Sequence, residues 1–128
     1  MKKSIPGTDL EFERPEDWWL FCDLSIRNVN DYKYYPHNGS LRETEIANIT
    51  HIEPPVRNNG IPPFKKHKLV PILLAFTSPE CALPPVEVSV NNSGPYKYTV
   101  TNGYHRYYAS LAVGYTMLPI VVTRANVL

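Results

Sequence analysis

The sequence predicts a small α+β domain, and three observations carry that expectation. Two stretches in the last third, Val86-Glu87-Val88-Ser89-Val90 and Tyr96-Lys97-Tyr98-Thr99-Val100-Thr101, alternate apolar and polar residues, which is the period of a strand. From Tyr104 the spacing of large apolar residues becomes four, three and four (Tyr104, Tyr108, Leu111, Tyr115), which is one face of a helix. The chain has 128 residues, enough for one hydrophobic core and too few for two.

Taken from the N-terminus, Arg14-Pro15-Glu16-Asp17 can open a short helix with Pro15 at its first position, because a proline there loses no helical hydrogen bond. Trp19–Ile26 can equally be a strand. Asp31–Ser40 is rich in tyrosine and ends in the turn signal His37-Asn38-Gly39-Ser40. Glu45–Ile52 is expected to be one strand, with Ile46 and Ile52 among its apolar positions, and Pro54-Pro55 ends it. Val56–Phe64 follows as a loop. Lys65–Thr77 is helical from Leu69, Ile72, Leu73 and Phe76, and Pro71 suggests a helix start near itself, in a first turn that needs no N–H. Asn91-Asn92-Ser93-Gly94-Pro95 joins the two alternating stretches into a hairpin. Gly114 is placed to cap the C-terminus of the helix from Tyr104. Leu118–Val122 is the closing strand, with Pro119 near its start. The expected order is strand, helix, hairpin, helix, strand.

Composition narrows the function classes. A net charge of +1 with 20% charged residues argues against a polyanion-coating protein, although a single pocket needs only two or three cations. The 13 prolines are well above an average share of about 5% and imply rigid, extended connectors. Cys22 and Cys81 lie far apart and read as buried small hydrophobes in a reducing compartment. The longest apolar run, Leu69–Phe76, contains Pro71 and is far short of the ~20 residues of a membrane span. A soluble, cytoplasmic protein without membrane partners is expected.

Chemistry concentrates at Asn102-Gly103-Tyr104-His105-Arg106. A glycine between a strand and a helix permits positive φ and close approach of a ligand to the backbone. The first N–H groups of the helix lack internal partners, and its dipole adds positive potential, so phosphate is attracted there. Arg106 can clamp phosphate oxygens, and His105 can donate a hydrogen bond or transfer a proton. Strand–Gly–helix junctions with one Arg and one His are common, so these residues alone are a weak signal.

The run Tyr98–Ala109, followed by Gly114 and Leu118-Pro119-Ile120-Val121-Val122, resembles the signature of the ParB/sulfiredoxin superfamily: a strand, a Gly-x-His/Arg-Arg turn, a helix ended by glycine, then a Leu/Ile-Pro-Val strand. Pro84–Val88 resembles the preceding family strand, and Glu45–Arg57 the opening strand and loop. The resemblance implies a small mixed sheet with packed helices, with residues 45–122 as its core and residues 1–44 as a divergent N-terminal extension of one domain. It implies phosphate contacts from Asn102, Gly103, Tyr104, His105, Arg106 and Arg57, and acid–base roles for His105 and Glu53. The implied ligand is a nucleotide, with Mg²⁺ if it is a triphosphate, or nucleic-acid phosphate. Members bind nucleotides and DNA or are described as nucleases or kinases.

Departures from the pattern matter. Sulfiredoxins carry a reactive cysteine where this chain has Tyr104, so sulfinic-acid reduction is not expected. Partitioning proteins continue into a helical DNA-reading region, whereas this sequence ends six residues after Val122, so that part is expected to be missing. His37, His51, His67 and His105 lack ligand spacing, and no metal site is expected. Lys65-Lys66-His67-Lys68 is a short basic run at a helix start that could extend a phosphate site. The competing expectation is a non-enzymatic module binding nucleic acid or protein, for which Trp18, Trp19, Tyr32, Tyr34 and Tyr35 could form a stacking surface, although core packing is the role expected of them first.

Overall fold

The structure is a computed structural model that describes residues 2–5, 7–22, 24, 32–34, 36, 44–56, 64–78, 83–92 and 94–123. Its class is α+β: a five-stranded mixed sheet with helices packed on it, and a separate two-stranded ribbon near the N-terminus. That ribbon pairs β1 (Lys2–Ser4) with β2 (Glu11–Glu13). Helix α1 (Glu16–Phe21) follows, with Pro15 just before it; the Pro15 carbonyl accepts from the Trp18 and Trp19 N–H groups. The helical alternative for this stretch is therefore the one adopted.

The single strand expected over Glu45–Ile52 is two strands. β3 (Glu45–Asn48) and β4 (Ile52–Glu53) are separated by a 3₁₀ turn at Ile49–His51, nucleated by Asn48, whose side-chain oxygen accepts from the Thr50 N–H and hydroxyl. The two halves go to opposite edges, in the order β3-β7-β5-β6-β4. A flat five-stranded sheet would hold its edges ~19 Å apart at ~4.8 Å per strand. The four residue steps from Asn48 to Ile52 reach at most ~14 Å. The sheet must therefore curl until its edges approach.

The hairpin is present as β5 (Val86–Val90) and β6 (Tyr98–Asn102), antiparallel. β7 (Met117–Val122) inserts between β3 and β5, antiparallel to the first and parallel to the second. Its ladder with β5 begins at Ile120, one residue beyond Pro119, so the missing N–H costs that ladder nothing. Helix α2 (Lys66–Phe76) starts five residues before Pro71, not at it, and carries the proline in its interior. Leu69, Ile72 and Leu73 are buried, and their packing outweighs the proline defect.

Helix α3 (Tyr104–Val113) ends as expected at Gly114, which is left-handed (φ 95°). The Tyr115 N–H closes the end onto the Ser110 carbonyl. The helix buries Tyr107, Tyr108, Ala109, Ser110 and Ala112, a broader face than the four-three-four stripe suggested. Val86, Val88, Leu118 and Ile120 form the middle of the core. Ile5, Phe12, Trp19, Cys22 and Tyr34 from the N-terminal region belong to the same cluster. Cys81 lies outside the described residues. No helix among the described residues is long and apolar enough to cross a membrane.

Candidate functional site

Strand β6 runs straight into the turn that begins α3. Val88 lies opposite Val100 and Glu87 opposite Asn102, so Thr101 is an extra, bulged residue one step before the turn. Gly103 follows with φ 128° and is buried. A Cβ at this position would stand 3.0 Å from Cγ1 of Val86, so the site needs glycine for conformation and for space. The Tyr107 N–H bonds the Gly103 carbonyl at 2.9 Å, which starts the helix. No side chain caps α3 at Gly103, and its first turn holds no acid.

The N-terminus of α3 opens on a cavity of about 550 Å³. Its walls are the end of β6, the start of α3, the segment from Glu53 to Val56, and Lys65, Lys68 and Ile72 of α2. The first turn of α2 also lacks an acidic residue. Two helix N-termini thus meet one space, lined among the described residues by three permanent cations (Lys65, Lys68, Arg106) and one carboxylate (Glu53).

The residues expected at the site fall into distinct settings. Asn102 is exposed at the rim, and half-buried Tyr104 lines the cavity with its ring edge against His105 and Tyr108. Arg106 also lines it, but its Nη1 donates to the carbonyls of Pro84 (2.8 Å) and Pro85 (2.7 Å). The Tyr34 hydroxyl donates to the same Pro84 carbonyl at 2.8 Å. Burial pushes ionisation of that phenol up, and the neighbouring Arg106 guanidinium only partly opposes the shift. One arm of Arg106 therefore fixes the start of β5.

His105 Nε2 accepts the backbone N–H of Lys65 at 3.1 Å. A ring that accepts through Nε2 is neutral, with its proton on Nδ1. Glu53 stands on the opposite wall, exposed, and its Oε2 takes the Thr99 hydroxyl (3.3 Å) and the Asn91 side-chain amide (3.4 Å). Glu53 and His105 border one cavity; Arg57 lies outside the described residues. Sequence reasoning missed the wall at Pro54–Val56. It is tied to α3 by the Tyr108 hydroxyl, which donates to the Pro55 carbonyl at 2.6 Å. A buried tyrosine beside a Pro-Pro pair was the available signal.

No family model matches the chain, and no curated protein is similar to it. Solved structures include one similar to this chain. It is the C-terminally truncated chromosome-partitioning protein ParB from Caulobacter crescentus complexed with CTP-gamma-S, with 19% identity and a TM-score of 0.48. The likeness covers 66% of this chain and 46% of that one, so this chain matches less than half of the length of that protein.

Among the described residues the core role, not the alternative stacking surface, is the one that Trp19 and Tyr34 take. Trp19 and Tyr34 are 2% and 3% exposed and belong to the core. Trp18 is half-buried, Tyr32 is exposed, and Tyr35 lies outside the described residues.

Proposed function

We propose that this chain binds a phosphate-bearing ligand of nucleotide size in the cavity between α2 and α3. The observation that supports it is the convergence, among the described residues, of two helix N-termini and three cationic side chains on one space with a single lining carboxylate. A lysine in the first turn of a helix opposes the dipole, at roughly 0.3–1 kcal/mol each. Neither helix carries a first-turn acid to offset this. A phosphate at that point reverses the sign of these terms. The volume lies within the roughly 300–1,000 Å³ of ordinary ligand pockets. Mg²⁺ would accompany a triphosphate, and Glu53, which lines the same cavity, would serve as acid–base group in phosphoryl transfer or phosphodiester cleavage.

A thermal-shift series with CTP, ATP, AMP and inorganic pyrophosphate, each with and without Mg²⁺ at low salt, tests binding. A bound ligand at about a hundred times its Kd stabilises by ~2.7 kcal/mol, a rise of several degrees. Because Arg106 also holds two carbonyls, replacing it would confound folding with binding; Lys65→Ala/Lys68→Ala is the cleaner variant. Two lost charge-assisted contacts at ~1.5–3 kcal/mol each predict affinity at least about tenfold weaker. The absence of any wild-type shift would falsify the reading. Salt-sensitive binding of an oligonucleotide that free nucleotide does not displace would instead assign the cavity to a polymer.

A further inference from the structure

His105 is forty residues from Lys65 in sequence, yet its ring nitrogen holds the backbone N–H at the residue where α2 begins. Lys65 is the N-cap of α2, and its own side chain makes no capping bond. Its carbonyl accepts from the Lys68 and Leu69 N–H groups at 3.0 and 2.9 Å. The peptide units around Lys65 are thus tied to α2 on one side and to His105 of α3 on the other. The imidazole is itself set in place by edge contacts with Phe64 (centroids 5.9 Å apart) and Tyr104 (5.3 Å). Phe64 packs onward against Phe12 and Tyr108, so the lead-in to α2 lies on an aromatic bed belonging mostly to α3.

We propose that His105 is a positioning residue: its neutral imidazole latches the start of α2 to the first turn of α3 and so sets the separation of the two helix N-termini. The consequence for ligand affinity rests on the function proposed above; the latch does not. A protonated ring carries hydrogen on both nitrogens and cannot accept the Lys65 N–H. Its charge would also join Lys65 and Lys68 of α2 and the neighbouring Arg106, with the more remote Lys66 and His67 on the same turn. The Tyr104 phenol also lies beside the ring. Among the described residues Glu53 is the carboxylate that lines the cavity, and it is already engaged with Thr99 and Asn91. Proton uptake by the ring therefore opens the latch, and the closed form belongs to the high-pH side of that titration. While the latch is closed, Nε2 is occupied and cannot serve as a general base.

Nuclear magnetic resonance on the ¹⁵N-labelled full chain tests this directly. A nitrogen–nitrogen coupling across the hydrogen bond should connect the Lys65 amide with His105 Nε2 when the ring is neutral. It should disappear on acidification in step with the ring's own titration. Packing alone would give neither signal. His105→Gln, which retains an acceptor at any pH, should hold the Lys65 amide shift without a step; His105→Phe, which retains the ring shape, should lose it. Loss of one hydrogen bond at about 1 kcal/mol predicts roughly fivefold weaker pyrophosphate binding for His105→Phe and near wild-type binding for His105→Gln. Absence of the coupling in wild type, or a Lys65 amide indifferent to ring protonation, overturns the latch, whether or not the variants fold. Equal pyrophosphate affinity in His105→Phe and wild type overturns the control of helix separation. A coupling present in a protein that binds no pyrophosphate supports the latch and removes the ligand reading instead.

Discussion

Single residues decide whether the turn can exist. Gly103 is the sharpest case, because two independent constraints fall on one atom: φ of 128° and the Val86 methyl groups at 3.0 and 3.1 Å from a Cβ. Gly103→Ala is expected to lower the free energy of unfolding by about 1–3 kcal/mol from backbone strain alone, with the steric contact added. Urea denaturation measures this. In the double variant Gly103→Ala/Val86→Ala, part of the loss that Gly103→Ala adds should be recovered, since only the contact is relieved. Full recovery would mean that the backbone angle carries no cost, and none would mean that the contact carries none. The need for a glycine here was legible in the sequence, since a strand meeting a helix at Asn102-Gly103 calls for one. The partners of Arg106 were not. Its acceptors are main-chain carbonyls 22 and 21 residues away, and carbonyls carry no sequence signature. The local pattern thus marked Arg106 as a cation at a helix start while concealing that one of its nitrogens already serves the fold.

At the scale of elements, periodicity found what is local and missed what topology imposes. The hairpin, α3 and its Gly114 cap follow from neighbouring residues and stand where alternation and helical spacing put them. The stretch Glu45–Ile52 keeps a strand-like pattern throughout, yet a side chain as short as Asn48 turns it, and its halves pair with different partners. Nothing in a period of two distinguishes one strand from two that share an axis. Pro71 misled for a related reason. A first-turn proline is the commoner arrangement, but the buried Leu69 shows that helix contacts begin before it. Pro71 sits sixth in α2, so the His67 carbonyl four residues earlier lacks its helical donor. Pro71 is exposed, so replacing it leaves no cavity. Pro71→Ala is therefore expected to stabilise the protein by about 2 kcal/mol, the interior proline penalty of about 3 kcal/mol less up to about 1 kcal/mol of entropy released to the unfolded chain. Thermal unfolding should show a higher midpoint; a lower one would mean that the proline bend is needed to bring Lys65 to His105.

Across the whole molecule the tyrosines bind the N-terminal region to the rest and set a boundary on stability. Tyr34 reaches from that region to the Pro84 carbonyl, and the Tyr32 carbonyl accepts the Thr116 and Met117 N–H groups at the start of β7. No motif announced the role of these residues; only their apolar, aromatic composition hinted that they were needed for a core. Tyr34, Tyr107 and Tyr108 are each at most 3% exposed, and burial pushes the ionisation of all three well above the ordinary phenol range. The sign follows from linkage. Above about pH 10 the unfolded chain releases these protons while the folded chain keeps them, so the unfolded state binds fewer and stability falls as pH rises. Each of the three contributes up to about 1.4 kcal/mol per pH unit in that window, and nothing from this source below it. Denaturant midpoints should therefore be flat with respect to these groups up to about pH 9 and then drop steeply. Phenolate absorbance from these three should rise only as the chain unfolds. Tyr34→Phe should blunt the drop by a third while costing about 1 kcal/mol at neutral pH for the lost bond to Pro84. A variant that lost the bond but kept the full alkaline slope would show that Tyr34 ionises in the folded state, and that the N-terminal region is not held in the core through it.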